Sequence, residues 1–325
     1  MRGVRVAGTG SYLPEKVVTN DDLAKVIDTS DEWIRSRTGI AERRQAAPTQ
    51  ATSDLALVAG RRALEAAGFE ANDLDMIIVA TMTPDHSIPS TAALVQRGLG
   101  AENVGGFDLG SACSGFVHAF NVGATYVKSG LAEKVLVIGA EKMSGVTNPE
   151  DRATAVIFAD GAGAAVLVPD SDGSDLLGIR QGLKGDDDVL VVPSSGSRTP
   201  PSPETIAAGL NYIQMKGRET FKFAVKTFAN LIKDTCEAAG IGVDDLKIVV
   251  PHQVNQRILE PAAAKAGIAL ERCKINIERV GNTSAASVAI ALDEAVREGR
   301  MQKGDLVLMV AFGAGLSWAS ALVRW

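Results

Sequence analysis

The chain repeats itself. Glu65-Ala-Ala-Gly68, followed by Asp73-Leu74, recurs 172 positions later as Glu237-Ala-Ala-Gly240, followed by Asp245-Leu246. At the same spacing the run 76–79 meets 248–251, Gly110-Ser-Ala-Cys113 meets Asn282-Thr-Ser-Ala285, and 135–138 meets 307–310. Gly161-Ala-Gly163 ahead of Val166-Leu-Val168 resembles Gly313-Ala-Gly315 ahead of Leu322-Val323. Separate blocks that hold one offset point to a duplication, not to a chance likeness of common apolar patterns. Within a copy, 74–81 is a continuous apolar run of the kind a buried parallel strand shows. The stretch 51–67 is amphipathic at helical spacing and stops at Gly68. The sequence therefore predicts an α/β chain of two βα-alternating halves, 1–170 and 213–325, packed as a pseudo-twofold pair. Each half should have a mostly parallel sheet flanked by helices. The run 155–168, with Asp160-Gly-Ala-Gly163 inside it, reads as a strand pair around a glycine turn. The segment 171–212 connects the halves. It is rich in Asp, Gly, Ser and Pro, and a long insertion of this kind often covers a site.

Composition narrows the function. A chain of 325 residues with 46% hydrophobic and 22% charged residues can bury a full core. A net charge of −6 argues against nucleic acid as the main partner. Three cysteines without paired or metal-like spacing, and no signal peptide, fit a reducing cytoplasm. No apolar run reaches the roughly 20 residues that span a bilayer. There is no phosphate-binding glycine loop of the nucleotide-binding kinds. Neither a metal nor a redox cofactor is expected.

The chemistry gathers at strand ends. In Phe107-Asp-Leu-Gly-Ser-Ala-Cys-Ser-Gly-Phe116 an apolar approach ends in small residues around Cys113, and a helical pattern follows at once. Small neighbours let a ligand reach the sulfur. The N-terminal end of a helix favours thiolate. A buried cysteine acting as a small hydrophobe is the competing reading. The second copy supplies Val250-Pro-His-Gln-Val-Asn255 after a buried strand and Val280-Gly-Asn-Thr-Ser284 before a helix. His252 sits at the carboxyl end of its strand, where α/β proteins bind ligands. His252 taken alone reads as a satisfied core residue and Asn282 as a helix cap. A Cys, a His and an Asn at equivalent strand ends of a duplicated chain point to one site. His118, five residues past Cys113, should face away from it, and Cys236 and Cys273 read as packing residues.

An ordered set of motifs carries a resemblance along essentially the whole chain: Gly8-Thr-Gly-Ser-Tyr-Leu-Pro14, Asp31-Glu-Trp-Ile34, Arg37-Thr-Gly-Ile40, Ala112-Cys-Ser-Gly-Phe116, Phe158-Ala-Asp-Gly-Ala-Gly163, Pro251-His-Gln-Val-Asn255, Gly281-Asn-Thr-Ser-Ala-Ala-Ser287 and Ala311-Phe-Gly-Ala-Gly315. With these the chain resembles the β-ketoacyl-acyl-carrier-protein synthase III family, the condensing enzymes that start fatty-acid synthesis. The resemblance implies a five-layered αβαβα thiolase-like fold, a homodimer and a Cys113-His252-Asn282 triad. It implies that Cys113 takes an acyl group from coenzyme A as a thioester. Backbone N–H groups of Cys113 and Ala314 would hold the oxyanion. His252, as the neutral Nε2–H tautomer, and the Asn282 amide would stabilise the enolate left when malonyl-acyl-carrier protein loses carbon dioxide beside Phe312.

For coenzyme A the resemblance implies Trp33 and Arg152 on the two faces of the adenine, with Thr29 and Arg37 nearby. Met215, Gly217, Phe221, Ala224, Val254, Asn255 and Ile258 would line the tunnel. Acyl carrier protein is acidic, and Gln253, Val254, Asn255, Gln256, Arg257, Lys222 and Lys265 are expected to receive it, with Lys216, Arg218 and Lys226 in the same basic patch. Ile88 would reach across the dimer and close the partner's acyl pocket. The alternative is a related thiolase-fold acyltransferase or a starter condensing enzyme of secondary metabolism, with the same triad and another primer or acceptor. Elongating condensing enzymes carry a second histidine where this chain has Asn282. A non-enzymatic acyl-coenzyme A-binding subunit would have no use for an intact triad.

Overall fold

In a computed structural model that describes residues 2–325, the two copies become two sheets. The first copy runs through β1 (Gly3–Tyr12), α1 (Asp31–Thr38), α2 (Thr52–Ala67), β2 (Met76–Ala80), α3 (Thr91–Leu99), β3 (Gly105–Leu109), α4 (Gly115–Ser129), β4 (Val135–Lys142) and β5 (Asp160–Asp170). The second runs through β6 (Asp175–Asp186), α5 (Gly217–Ala238), β7 (Ile248–Pro251), α6 (Gln256–Ala266), α7 (Ala286–Arg297), β8 (Leu306–Gly313) and β9 (Gly315–Arg324). The first sheet has the order β1-β5-β4-β2-β3 and the second β6-β9-β8-β7. The two orders match strand for strand, and only β3 lacks a counterpart. Near its place in the second sheet, Cys273 makes a single parallel bridge to Val249.

The layers follow from which faces are apolar. Along β2, Ile77 and Val79 point to a cluster with Leu55, Leu64 and Val95 from α2 and α3, while Ile78 and Ala80 point to the opposite one. Both faces of the strand are covered, so it reads as an unbroken apolar run instead of an alternation. The inner cluster joins the sheets through α4 and α7, with Phe116, Phe120, Val127, Val288 and Leu292 packed against Val137, Met309 and Ala321. The outer face of the second sheet is closed by α5 and α6, which set Phe228, Ile232 and Leu259 against Val249, Leu308 and Leu322. The result is the αβαβα sandwich.

The structure departs from the sequence reading at three points. The sheets are mixed: β2 is parallel to β3 and β4, and β7 to β8, but β5 and β9 run antiparallel to their neighbours. Asp160-Gly-Ala-Gly163 is not a turn; it opens the single strand β5. Its glycines serve the approach of α7, since a Cβ on Gly163 would lie 2.6 Å from the Ala289 backbone. Finally, part of the connecting segment 171–212 forms β6, which pairs antiparallel with β9 and occupies the place that β1 has in the first sheet. Its charged and glycine residues, Asp-Leu-Leu-Gly-Ile-Arg-Gln-Gly-Leu-Lys-Gly-Asp, belong to an edge strand that is exposed over much of its length.

Candidate active site

Two matching turns bring the site together. After β3 the chain reaches Ala112 with φ 44°, passes Cys113 and enters α4 at Gly115. In the second copy Ser284, 172 positions on, has φ 50° and leads through Ala285 into α7. Left-handed backbone at a residue with a Cβ costs on the order of 1–3 kcal/mol and persists where surrounding contacts over-determine it. Here it occurs at the same place in both copies, at the mouths of the two helices between the sheets. The Ser114 hydroxyl bonds that of Ser317 at 2.8 Å, tying the cysteine turn to β9. Asn282 N–H donates to the Ile157 carbonyl at 3.0 Å, and its own carbonyl accepts Ala159 N–H at 2.9 Å, which binds the asparagine turn to the first copy. The end of β8 touches the cysteine turn: a Cβ on Gly313 would stand 2.7 Å from Cys113 N, so only glycine allows this approach.

Cys113, His252, Asn282 and Phe312 line one cavity of about 210 Å³. His252 is buried at the end of β7, and burial pushes its pKa down to about 3, so the ring is neutral. Its Nδ1 lies 2.6 Å from Ser287 Oγ. That oxygen also accepts Gln253 N–H at 3.4 Å, and when the serine hydroxyl donates to Nδ1 the ring hydrogen sits on Nε2. Asn282 Oδ1 accepts Ser284 N–H at 2.9 Å, so the amide NH₂ remains the donor. Phe312 packs edge-on against the imidazole, with centroids 5.6 Å apart at 75°. With that tautomer the arrangement presents two neutral donors to the cavity that contains the thiol.

Cys113 is only 6% exposed. Burial pushes its thiol up to about 12, a hydrogen bond with Ser284 pulls against this, and the charge of Glu141 adds to it. The helix end favours thiolate, as the sequence suggests, but burial is the larger effect here. On its far side Cys113 borders a second cavity of about 490 Å³, lined by Met82, Met143, Val146, Phe158, Ile213 and Ser284 among others. The segment 171–212 reaches this cavity through Leu190, Val192 and Ser194.

Most of the residues expected to meet coenzyme A lie where the reading needs them. Arg37, Met215, Gly217, Phe221, Val254, Asn255 and Ile258 line the first cavity. Ala224 does not: it is 0% exposed in the cluster under α5, one helical turn from Phe221 but facing inward. Trp33 and Arg152 lie farther out and touch each other, the guanidinium 4.8 Å from the ring centroid. A purine between them requires Arg152 to swing away from the Asp28 carbonyl that it holds at 2.9 Å. Beside them, Thr29 Oγ1 is buried without a hydrogen-bond partner.

Arg37, Arg218, Arg257 and Phe221 border a groove at the cavity mouth, and Lys222, Lys226 and Lys265 are exposed. Lys216 is paired with Asp188, and Gln256 with Glu260 at 2.8 Å. Gln253 cannot meet a docking protein. It is 0% exposed, its amide donates to the Pro251 and Lys274 carbonyls at 2.9 and 3.0 Å, and its Oε1 accepts Asn276 N–H at 3.0 Å. Ile88 stands 88% exposed in the loop after β2, and Ala314 sits between β8 and β9. Three contributors escaped the sequence reading: Ser287, Ser284 and Glu141. The serines lie inside a quoted motif, and Glu141 is the one acid in the apolar run that forms β4.

Comparison with known proteins decides the family. The profile of the family described as 3-oxoacyl-[acyl-carrier-protein (ACP)] synthase III matches residues 107–185, and that of its C-terminal part matches 236–325. A β-ketoacyl-[acyl-carrier-protein] synthase III of Caldanaerobacter subterraneus subsp. tengcongensis is 51% identical over 98% of this chain and 97% of its own. The chain belongs to the β-ketoacyl-[acyl-carrier-protein] synthase III family. It is thus an acyltransferase, a condensing enzyme of fatty-acid biosynthesis on a thiolase fold. Among solved members, the synthase III of Aquifex aeolicus VF5 superposes with a TM-score of 0.93 at 44% identity, covering 99% of this chain and 100% of that one. A priming β-ketosynthase from the R1128 polyketide biosynthetic pathway superposes with a TM-score of 0.90 at 38% identity, covering 99% and 96%.

Proposed function

We propose that the chain condenses an acyl-coenzyme A primer with malonyl-acyl-carrier protein, giving β-ketoacyl-acyl-carrier protein, coenzyme A and carbon dioxide. Cys113 attacks the primer thioester and keeps the acyl group while coenzyme A leaves. The malonyl group then enters the cavity, with its carboxylate beside the Phe312 ring, a surrounding that favours loss of a charged group as neutral gas. The enolate oxygen left behind takes hydrogen bonds from His252 Nε2–H and the Asn282 amide. Its carbon attacks the acyl-Cys113 carbonyl, whose oxyanion the backbone N–H groups of Cys113 and Ala314 hold. The observation that carries this reading is the buried, neutral imidazole of His252, its Nδ1 2.6 Å from the Ser287 hydroxyl, in one cavity with the thiol. A donor that gives no proton away suits an enolate that must go on to attack carbon.

The exposed basic residues around Phe221 support docking of an acidic carrier protein. The free edge of β3, with Met82 and Ile88 exposed nearby, supports a homodimer. Three reduced, buried cysteines fit a cytoplasmic enzyme. The likeness to a priming ketosynthase and the apolar cavity behind Cys113 favour, as second reading, a starter enzyme with a larger primer.

The test uses labelled acyl-coenzyme A, from acetyl to medium chain, with malonyl-acyl-carrier protein. Cys113→Ala should form no acyl-enzyme. His252→Ala and Asn282→Ala should form it and release no carbon dioxide; equal loss of acylation in both would overturn the assigned roles. The primer that acylates fastest separates the two readings.

A further inference from the structure

The most unusual group outside the triad is the acid at the end of β4. Glu141 is fully buried, and among the described residues no cation pairs with it. Its carboxylate receives donors from two loops. Thr83 Oγ1 donates at 2.6 Å, Thr81 Oγ1 at 3.3 Å, Met82 N–H at 3.1 and 3.2 Å, and Ser284 Oγ at 3.1 Å. The direction of these bonds is set by their neighbours. Thr81 Oγ1 already accepts Thr83 N–H at 3.1 Å, and Thr83 Oγ1 accepts Lys142 N–H at 2.9 Å, so each hydroxyl has its hydrogen available for Glu141. Four donors and no acceptor make a socket for an ionised carboxylate. Burial raises its pKa, which suits it to receive a proton.

Ser284 is the donor that also reaches the reacting centre. It lines the far cavity together with Cys113, and its hydroxyl is near enough to draw the thiol's pKa down. With its own hydrogen on Glu141, the Ser284 oxygen is free to accept the thiol hydrogen. The remaining titratable groups nearby do not compete. His252 is held neutral with its Nδ1 occupied, Asp186 and Asp187 lie at the cavity rim, and Lys142 turns away to the Ala47 and Gln50 carbonyls.

We propose that Ser284 and Glu141 carry the proton of Cys113 during acylation, an inference that rests on the role of Cys113 proposed above. The thiol proton passes to Ser284 Oγ as the Ser284 hydroxyl proton passes to Glu141, leaving a thiolate and a neutral carboxylic acid. The thiolate forms the new C–S bond at the primer carbonyl, whose π pair moves to oxygen. When that pair returns, the bond to coenzyme A sulfur breaks, and the leaving thiolate takes the proton back through Ser284. Acyl-Cys113, coenzyme A with its thiol restored and the Glu141 carboxylate remain. The physical reason is charge conservation in a dry site. Ionising Cys113 beside an ionised Glu141 sets two negative charges together, whereas shifting the proton moves one charge and creates none. Ser284 is the catalytic partner here, and Glu141 is a positioning residue that acts through it.

The experiment measures two rates separately: the acylation burst with labelled acetyl-coenzyme A across pH, and carbon dioxide release from enzyme already acylated by long incubation. Glu141→Gln and Ser284→Ala should slow the burst about a hundredfold, and Glu141→Gln should remove the limb on which wild-type acylation falls toward acid pH. Condensation from preformed acyl-enzyme should stay within a few fold of wild type, and Glu141→Asp should restore part of the burst. A burst unchanged in rate and pH profile overturns the proposal. So does an equal loss of both steps, the mark of a merely structural acid. Ser284→Ala removes one oxygen and keeps the test open where Glu141→Gln does not fold. Should wild type form no acyl-Cys113 at all, the failure lies with the role of Cys113, not with this route.

Discussion

Ser287 determines what His252 can do. A buried neutral imidazole has two tautomers of similar energy, and only one presents a hydrogen to the cavity. A Ser287 hydroxyl that donates to Nδ1, its oxygen held by Gln253 N–H, selects that one. Ser287→Ala is therefore expected to lower carbon dioxide release about tenfold or more while the acylation burst keeps its rate, and Ser287→Thr should recover much of the loss. Burst and release kinetics on the same preparation check this; a burst that falls in parallel points to a disturbed cavity instead. At this scale the sequence exposes residues by position and hides those that work through another residue. Cys113 and His252 stand at the ends of apolar approaches and Asn282 at the place that matches Gly110 in the duplicated chain, so their places can be deduced. Ser287 and Ser284 look like ordinary helix-start serines, and Glu141 acquires meaning only when loops about 60 and 140 residues away in sequence close on it. Gln253 misleads for the converse reason: its neighbours Val254 and Asn255 reach the cavity, while its own carboxamide is consumed by backbone groups of the 274–277 segment.

The elements are set by packing that glycine makes possible. Along β5 the glycines are contact points for α7, and a Cβ at Gly163 meets Ala289 and Ile290 backbone at 2.6 Å. Backbone cannot yield as a flexible side chain does. Gly163→Val should therefore destabilise the fold by about 1–3 kcal/mol through overpacking, and it should slow condensation as well, because α7 begins just after the asparagine turn. Urea unfolding with an unchanged m-value, measured beside activity, checks both; a variant as stable as wild type means that the helix can retreat without cost. The duplication was legible because the inner strands are apolar on both faces and hold one offset. The edge strand β6 was not, since glycines and charges suit an exposed edge and a loop equally well. The mixed strand directions were equally hidden, because an apolar run says that a strand is buried but not which way it points. Ala224 shows the same ambiguity on a helix: Phe221 and Ala224 share a face by spacing, yet the face straddles the boundary between cavity and core.

At the scale of the whole molecule, Cys113 stands between two chambers. One is lined by Phe221, Val254 and Phe312 and opens toward the basic rim; the other lies behind Ala112 and Ser284 and reaches Met82. On the proposed role of Cys113, its acyl group would occupy the second while malonyl arrives through the first, which would keep primer and extender apart without any motion of the core. The length of primer then depends on what closes the second chamber. Within one chain its wall includes Met82 and Thr83, from the same loop that leaves Ile88 almost fully exposed. An isoleucine so exposed on a loop beside the free β3 edge is accounted for if a second copy covers it. If Ile88 of one copy enters the primer chamber of the other, its size sets the depth available. Ile88→Trp should lower turnover of hexanoyl-coenzyme A relative to acetyl-coenzyme A about tenfold or more, and Ile88→Ala should move the ratio the opposite way. Ile88→Glu, a charge set against an apolar partner, should shift the sedimentation of the protein toward monomer. A selectivity ratio that ignores the residue at position 88, measured on protein shown to be dimeric, assigns the closing of the chamber to the chain's own Met82, Met143 and Ile213.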